Sequence, residues 1–343
     1  MQRFVSGAAC GALLAAAGGV CAQENERDVV VLTTDNRLEG EVIELSRGEL
    51  MFAIDGAGPV EIDWSNVETL TSTREFDVEL ESGGRLSGSI FSPSPGQLAV
   101  TAVTAGTTPA AVETQEVIRI TPIAATPAER TSGYVDFGLD FLTANDELDL
   151  KVDAKVENLM RNYLTTLSID SIVSEVDDET SQRRNYFQLA SRRLLQNRWF
   201  AIGRLHLEED LELDLDSRTL LGFGAGRTLI QSNRAVVALY GGLAGDRERY
   251  RGIPGREDSA EAFVTVEWDW FKLGGDTQVT TNATTYFSFD RSRRRVELDA
   301  SLHRAIFGNV HWSVSLYESY DSDPPPGLEN SDLGLSFAIG RSF

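Results

Sequence analysis

The chain has 343 residues, with 53 acidic against 31 basic side chains and a formal net charge of −22. So acidic a protein repels phosphate, which excludes nucleic acid as a partner. Two cysteines cannot build a disulfide framework, and the length allows two or three domains.

Residues 1–22 read as a cleaved signal peptide. Arg3 gives a basic start, small and apolar residues follow through Leu13, Leu14 and Ala17, and Val20-Cys21-Ala22 precedes Gln23. Small or aliphatic residues at −3 and −1 suit signal peptidase, and the apolar run is too short to cross a bilayer as a helix. Val20 before Cys21 is a poor match to a lipidation site. Cleavage would remove Cys10, Cys21 and Arg3, moving the charge from −22 to −23 and leaving no thiol. No later apolar run reaches the length of a membrane helix. That says nothing about a β-barrel, whose strands alternate apolar and polar residues.

Residues 28–122 contain a duplication. Arg37-Leu38-x-Gly40 and Gly48-x-Leu50 recur as Arg85-Leu86-x-Gly88 and Gly96-x-Leu98. After a two-residue slip, Ile62, Val67 and Leu70 match Val112, Val117 and Ile120. Each copy reads as four or five short strands joined by turn residues such as Asp35-Asn36 and Gly83-Gly84. The pattern predicts two small SH3-like or Sm-like β units, 23–74 and 75–122, serving either as a module for a periplasmic or cell-wall partner or as a spacer. Residues 123–132, with two prolines, read as a linker.

From residue 133 the apolar period becomes two. Leu148, Leu150, Val152, Ala154 and Val156 alternate with Asp149, Lys151, Asp153, Lys155 and Glu157, which gives a strand one greasy and one charged face. Similar segments recur to the last residue, at 133–142, 146–157, 162–173, 184–195, 198–209, 217–229, 233–244, 259–271, 276–289, 294–306, 309–320 and 331–343. The fold class is therefore all-β, with an antiparallel transmembrane barrel of about twelve strands over 133–343. Short turns alternate, imperfectly, with long polar loops predicted at 174–184, 245–259 and 321–332. The closing alternation through Phe337 and Ile339 to Phe343 is the pattern read by the barrel-insertion machinery; Arg341 departs from it.

A signal peptide, a duplicated unit containing "IDWSNVETLTS" and a barrel ending "LGLSFAIGRSF" together resemble a bacterial outer-membrane family of unknown function, often labelled salt-induced outer-membrane protein. The barrel resemblance covers roughly 131–343, and the duplicated unit is similar to the extra N-terminal region of longer members. The resemblance implies an outer-membrane location with the N-terminal module in the periplasm, and it brings no catalytic residues.

Chemistry is sparse. His206, His303 and His311 face inward by phase, beside Arg204, Glu208, Asp299, Ser301 and Ser313. A rim lipid hydrolase would use a Ser-His pair, but the histidines show no metal-ligand spacing in sequence. "GFGAGRT" lacks the ending of a phosphate loop. No cofactor, metal or catalysis is expected. Asp136, Asp140, Asp149, Asp153, Glu267, Asp269, Glu297 and Asp299, with Lys151, Lys155 and Arg204, are expected to line a lumen that is narrow or blocked by its own ion pairs. The predicted outer loops carry Arg183, Arg184, Arg247, Arg249, Arg251 and Arg256, together with Arg291, Arg293, Arg294 and Arg295. Those last four are candidates for the phosphates of lipopolysaccharide, with pairing to loop acids the alternative. The expected role is structural, envelope-stress or narrow-channel; the alternatives are the lipid hydrolase and a soluble periplasmic β-protein.

Overall fold

A computed structural model describes residues 27–343, apart from 55, 103–109, 124, 143–146, 161, 177–178, 212, 273–276 and 325–329. Side chains are likewise not described at 102, 110, 139–142, 147–149, 175–176 and 179–182. The predicted signal peptide lies outside the described residues.

The duplicated region folds as β1 (Asp28–Leu32), β2 (Arg37–Ser46), β3 (Glu49–Ile54), β4 (Gly58–Asp63), β5 (Val67–Leu80), β6 (Arg85–Phe91), β7 (Gln97–Ala102), β8 (Ala110–Glu113) and β9 (Val117–Pro122). One-turn 3-10 helices at Trp64–Asn66 and Thr114–Glu116 occupy equivalent places in the two repeats. The tight link from β2 to β3 uses Arg47 and Gly48, both at positive φ, which matches the twist of a two-residue hairpin.

The two repeats are not separate units. The strands form one nine-stranded sheet in the order β4-β3-β2-β1-β5-β6-β7-β8, with β9 pairing β2 and β5. β5 pairs β1 along its first half and β6 and β9 along its second. The boundary predicted at 74/75 therefore falls inside a strand, because Arg74-Glu75 offers no turn residue and the alternation runs on. A single core mixes both copies: Val42, Leu50, Phe52, Trp64 and Leu70 pack with Phe76, Val78, Ile90, Leu98 and Ile120. Trp64 Nε1 donates to the Thr114 carbonyl at 2.8 Å, tying one repeat to the other. Buried Asp28 accepts from the Val42 amide at 2.7 Å and from Arg74 at 3.1 Å.

The second region comprises β10 (Thr131–Leu142), β11 (Glu147–Met160), β12 (Tyr163–Val176), β13 (Glu179–Leu194), β14 (Trp199–Asp210), β15 (Leu215–Gln231), β16 (Ala235–Tyr250), β17 (Glu257–Phe271), β18 (Thr277–Ser288), β19 (Arg294–Phe307), β20 (Val310–Asp321) and β21 (Ser331–Ser342). Each pairs antiparallel with the next, and β21 returns to β10 from Tyr134↔Ser342 to Phe137↔Ile339, closing a twelve-stranded barrel. Phe343 and Gly133 exchange a further pair of backbone hydrogen bonds at 2.9 and 3.0 Å. The "GFGAGRT" run lies within β15 and forms no loop.

The barrel is apolar outside and polar inside. Phe137, Phe223, Leu243, Leu333, Leu335, Phe337 and Ile339 are each more than half exposed on its outer wall, whereas Asp136, Arg204, His206, Arg218 and Glu248 are buried within. Two predicted loops are largely strand. β12 and β13 leave only 177–178 between them, and β16 and β17 leave 251–256. Asp246, Glu248 and Tyr250 point in while Arg247 and Arg249 point out. Both faces are polar there, so the period of two persists without a hydrophobic signature.

Replacing Trp64 by alanine should destabilise the shared core by about 3–5 kcal/mol. A urea titration of the full chain, read by limited proteolysis, should show earlier cleavage across both repeats with unchanged heat-modifiable migration of the barrel. Cleavage confined to residues 27–74 would contradict a common core.

Candidate functional site: a charged lumen

At the end of the barrel remote from the repeat module, arginines and carboxylates meet across the lumen. Arg218 on β15 reaches Glu208 on β14 at 2.6 Å and Glu248 on β16 at 2.7 Å. Arg293 reaches Glu248 at 2.6 Å and also pairs with Asp321. Arg295 on β19 reaches Asp246 at 3.0 Å and Glu261 at 2.7 Å. These arginines, and all of these acids except Asp321, are buried. Guanidinium groups suit such a place, because several donors in one plane satisfy more than one carboxylate.

Beneath this network lies an aromatic shelf of Phe200, Tyr240, Phe263 and Tyr286. Arg204 stacks over Phe263 and Tyr286 at 5.0 and 5.4 Å, and Arg192 over Phe200 and Tyr240 at 5.0 and 5.2 Å. Arg204 also donates to the Tyr286 hydroxyl, and Arg192 pairs with Glu267. His206 is buried against the Tyr186 ring, with neither ring nitrogen hydrogen-bonded.

Below the shelf a polar cavity of about 370 Å³ is lined by barrel residues including Lys151, Asp153, Lys155, Glu157, Arg192, Glu267, Asp269 and Asp299, and by Glu44, Arg47 and Arg119 of the module. The module thus covers this mouth of the barrel. Arg47 donates to Gln278 at 3.1 Å and pairs with Glu157 at 3.3 Å. Gln231 Nε2 donates to Glu79 at 2.9 Å, and Asn233 Nδ2 to the Val117 carbonyl at 3.0 Å. Burial pushes the Glu44 carboxyl up despite Arg119 and Arg47 nearby. Burial acts on Glu79 too, but Arg119, Arg85 and the Gln231 hydrogen bond together outweigh it and hold its carboxyl below the usual range.

A third group forms where the barrel closes. His311 Nε2 lies 2.7 Å from Asp136 Oδ1, and His303 Nε2 lies 3.3 Å from Asp136 Oδ2. Ser313 Oγ donates to Asp136 Oδ2, and Ser342 Oγ lies 3.3 Å from His311 Nδ1. β21 runs between β10 and β20, and Gly340 stands on it between Asp136 and His311. A Cβ at Gly340 would collide with the Asp136 carboxylate. Its absence lets Asp136 reach across a neighbouring strand.

Of the predicted lumen charges, Asp136, Lys151, Asp153, Lys155, Arg204, Glu267, Asp269, Glu297 and Asp299 stand on the inner face. Lys151 lies 3.6 Å from Asp170, Lys155 pairs with Glu157 at 3.0 Å, and Glu297 accepts from the Tyr286 hydroxyl at 3.2 Å. The side chains of Asp140 and Asp149 lie outside the described residues. Phe337, Ile339 and Phe343 are exposed on the outer wall. The predicted outward arginines need correction. Arg293 and Arg295 are 3% exposed and point into the lumen, since alternation at the start of β19 turns them inward, so their guanidinium groups cannot meet an external phosphate. Arg184 is buried as well. Arg291 pairs with Glu257 at 2.7 Å, and Arg294 is exposed. The partners Arg218, Asp246, Glu248 and Glu261 went unnoticed in the sequence; the continuing period of two was their only signal.

Arg218→Ala should cost about 3–5 kcal/mol in urea unfolding from lipid vesicles, because it leaves Glu208 and Glu248 buried without their counterion; a loss below 1 kcal/mol would mean water already solvates them. Glu79 has a lowered carboxyl pKa, so its contribution is present above the ordinary carboxylate range and lost as pH falls through the lowered value. Glu44, being raised, acts in the opposite sense. The Glu79 part of the docking should therefore weaken on acidification, read as increased proteolysis at the module–barrel seam in a Glu44→Gln background. Glu79→Gln should be more cleavable at neutral pH and less responsive to acid; an unaltered acid response would remove Glu79 from the docking.

Residues 135–343, from β10 to the end of the barrel, match a family model described as "Protein of unknown function, DUF481". No curated protein matches the chain. Among solved structures, the chain is similar to the NanC porin at 11% identity and a TM-score of 0.39, over 62% of this chain and 98% of that one. It is similar to the outer membrane channel DcaP of Acinetobacter baumannii at 11% identity and a TM-score of 0.31, over 93% and 94%. It is also similar to an anion-selective porin from Comamonas acidovorans at 8% identity and a TM-score of 0.29, over 62% and 98%. The family match covers more than half of the chain and all but the first residues of the barrel, and on that basis the protein belongs to the DUF481 family of proteins of unknown function.

Proposed function

We propose that this protein is an outer-membrane β-barrel with a periplasmic module, acting as a structural element or a narrow, largely occluded channel. The observation that supports this reading is the arginine–carboxylate network around Arg218, Arg293 and Arg295, which sets buried paired charge inside the lumen at one end. The module covers the other end through Arg47, Gln231 and Asn233.

The membrane setting rests on the outer wall. Its large exposed apolar residues would be costly in water and suit a lipid surface, while backbone groups are paired around the closed circuit. The strands are 12 to 17 residues long, more than the roughly 9–11 that cross the hydrocarbon. The excess at the remote end carries outward Arg247, Arg249 and Asp258, as suits a wall standing in headgroups or water. The side bearing the module and the short turns is assigned to the periplasm. Contact with lipopolysaccharide phosphates narrows to Arg291 and Arg294. An envelope-stress role, with expression responding to salt, rests only on the family resemblance.

A second reading has a specific observation behind it. Ser342 Oγ, His311 and Asp136 form a Ser-His-carboxylate relay. It lacks an adjacent oxyanion site among the described residues: the Ser342 and Phe343 amides already donate to Asn309 and Gly133, both at 2.9 Å. The lipid-hydrolase role therefore ranks below the occluded barrel.

Planar-bilayer recording decides between closed and open. Folded wild type should give no resolved current steps. Arg47→Ala/Arg293→Ala/Arg295→Ala, loosened at both ends, should give cation-selective steps, since Asp246 and Glu261 lose Arg295 while Glu248 is left with Arg218 alone. Stable porin-sized steps from the wild type would overturn occlusion. Ester hydrolysis by the wild type, abolished in His311→Ala, would favour the relay instead.

A further inference from the structure

We propose that Asp136, His303 and His311 form a binding site for a first-row divalent transition metal ion, of which zinc is the probe, inside the barrel at its closing seam. One ligand atom from each of the three residues lies within 4.8 Å of the others, and all three residues are buried. Two imidazoles with one carboxylate is the donor set of many zinc and related sites; it disfavours magnesium and calcium, which prefer oxygen.

The spacing is that of a coordination shell as much as of a hydrogen-bond network. Around a tetrahedral ion with bonds of about 2.0–2.1 Å, neighbouring ligand atoms stand roughly 3.3 Å apart. His303 Nε2 is 3.3 Å from Asp136 Oδ2 and His311 Nε2 is 2.7 Å from Oδ1, so the carboxylate would turn one oxygen, or offer both, to an ion drawn between the imidazoles, with ligand atoms that start within 4.8 Å of one another.

A second observation points to a missing partner. His311 and Ser313 hydrogen-bond to the two Asp136 oxygens, whereas His303 Nε2, buried beside them, has among the described residues only a poorly aligned contact with Asp136 Oδ2 at 3.3 Å. A buried imidazole nitrogen held by a single misaligned contact is incompletely satisfied, and a further partner at that position would complete it. An ion bound to the lone pairs of both Nε2 atoms would satisfy it. His311 would then carry its proton on Nδ1, where Ser342 Oγ lies at 3.3 Å to receive it, and Ser313 would hold the carboxylate in place.

Access runs from the lumen. The Tyr134 ring lies 4.5 Å from that of His303 and lines the polar cavity, whose Asp153 and Asp299 attract cations. Three protein ligands also leave at least one coordination position open.

The test is zinc titration of the folded full-length protein in detergent after chelator treatment, with heat-modifiable migration confirming the barrel in each variant. One zinc per chain is expected, and cobalt in its place should give visible absorption bands of a low-symmetry, four- or five-coordinate ion. His303→Ala and His311→Ala should each weaken binding at least tenfold. Should either variant fail to fold, His303→Gln and His311→Gln, which keep a polar side chain of similar size in the lumen, supply the same comparison. His206→Gln should bind as the wild type does, and excess magnesium should not displace the zinc. No stoichiometric zinc, or binding retained with both His303 and His311 replaced, overturns the site.

Discussion

Backbone pairing between β10 and β21 converts a meander of twelve strands into a closed wall. Everything else about the second region depends on that closure. It removes both sheet edges, leaves each wall residue facing either out or in, and encloses a space in which side chains must satisfy one another. A charged residue on the inner face then loses bulk water whether or not it has a partner. Burying an isolated ion costs several kcal/mol, so the inner face holds together only where charges of opposite sign converge.

The network at the remote end is the result. Arg218 and Arg295 each bridge two acids from different strands, and Glu248 is shared between Arg218 and Arg293. Strands β14 to β16 are thereby tied to one another and, through Arg293 and Arg295, to the stretch from β17 to β20, which braces this part of the wall. At the other end the same problem is met differently. The module brings Arg47 and Arg119 to a mouth rich in Glu157, Glu267 and Asp269, and the chain's overall acidity is locally offset there. The aromatic shelf lies between the two, where stacked arginines bury their planes against rings.

The closing seam shows the same logic on a smaller scale. Asp136 is the first buried acid of the barrel and meets two histidines from near its end because β21 places a glycine between them. No other residue at position 340 leaves that path clear. A structural carboxylate, a relay and a metal ligand are all chemically consistent with one Asp between two imidazoles; the poorly aligned His303 contact favours the metal.

The barrel itself was legible in the sequence: alternating apolar residues dictate strands with two unlike faces, and the inner parity of Lys151, Asp153, Arg204 and Glu267 follows from counting by two. The repeat was legible as well, through Arg37-Leu38-x-Gly40 and its echo. Strand ends at the remote rim were not, because Asp246 to Tyr250 is polar on both faces and hydrophobicity no longer reports the period. The sharing of β5 between repeats was hidden for a related reason: alternation shows that a strand exists, not which neighbours it pairs. What the sequence determined by itself was therefore local, namely which segments are extended and which face of each is polar. The tertiary structure alone decided which charges meet, that Arg293 and Arg295 turn inward, and that Asp136 joins His303 and His311. Those contacts join residues from 10 to 175 positions apart and exist only once the wall has formed.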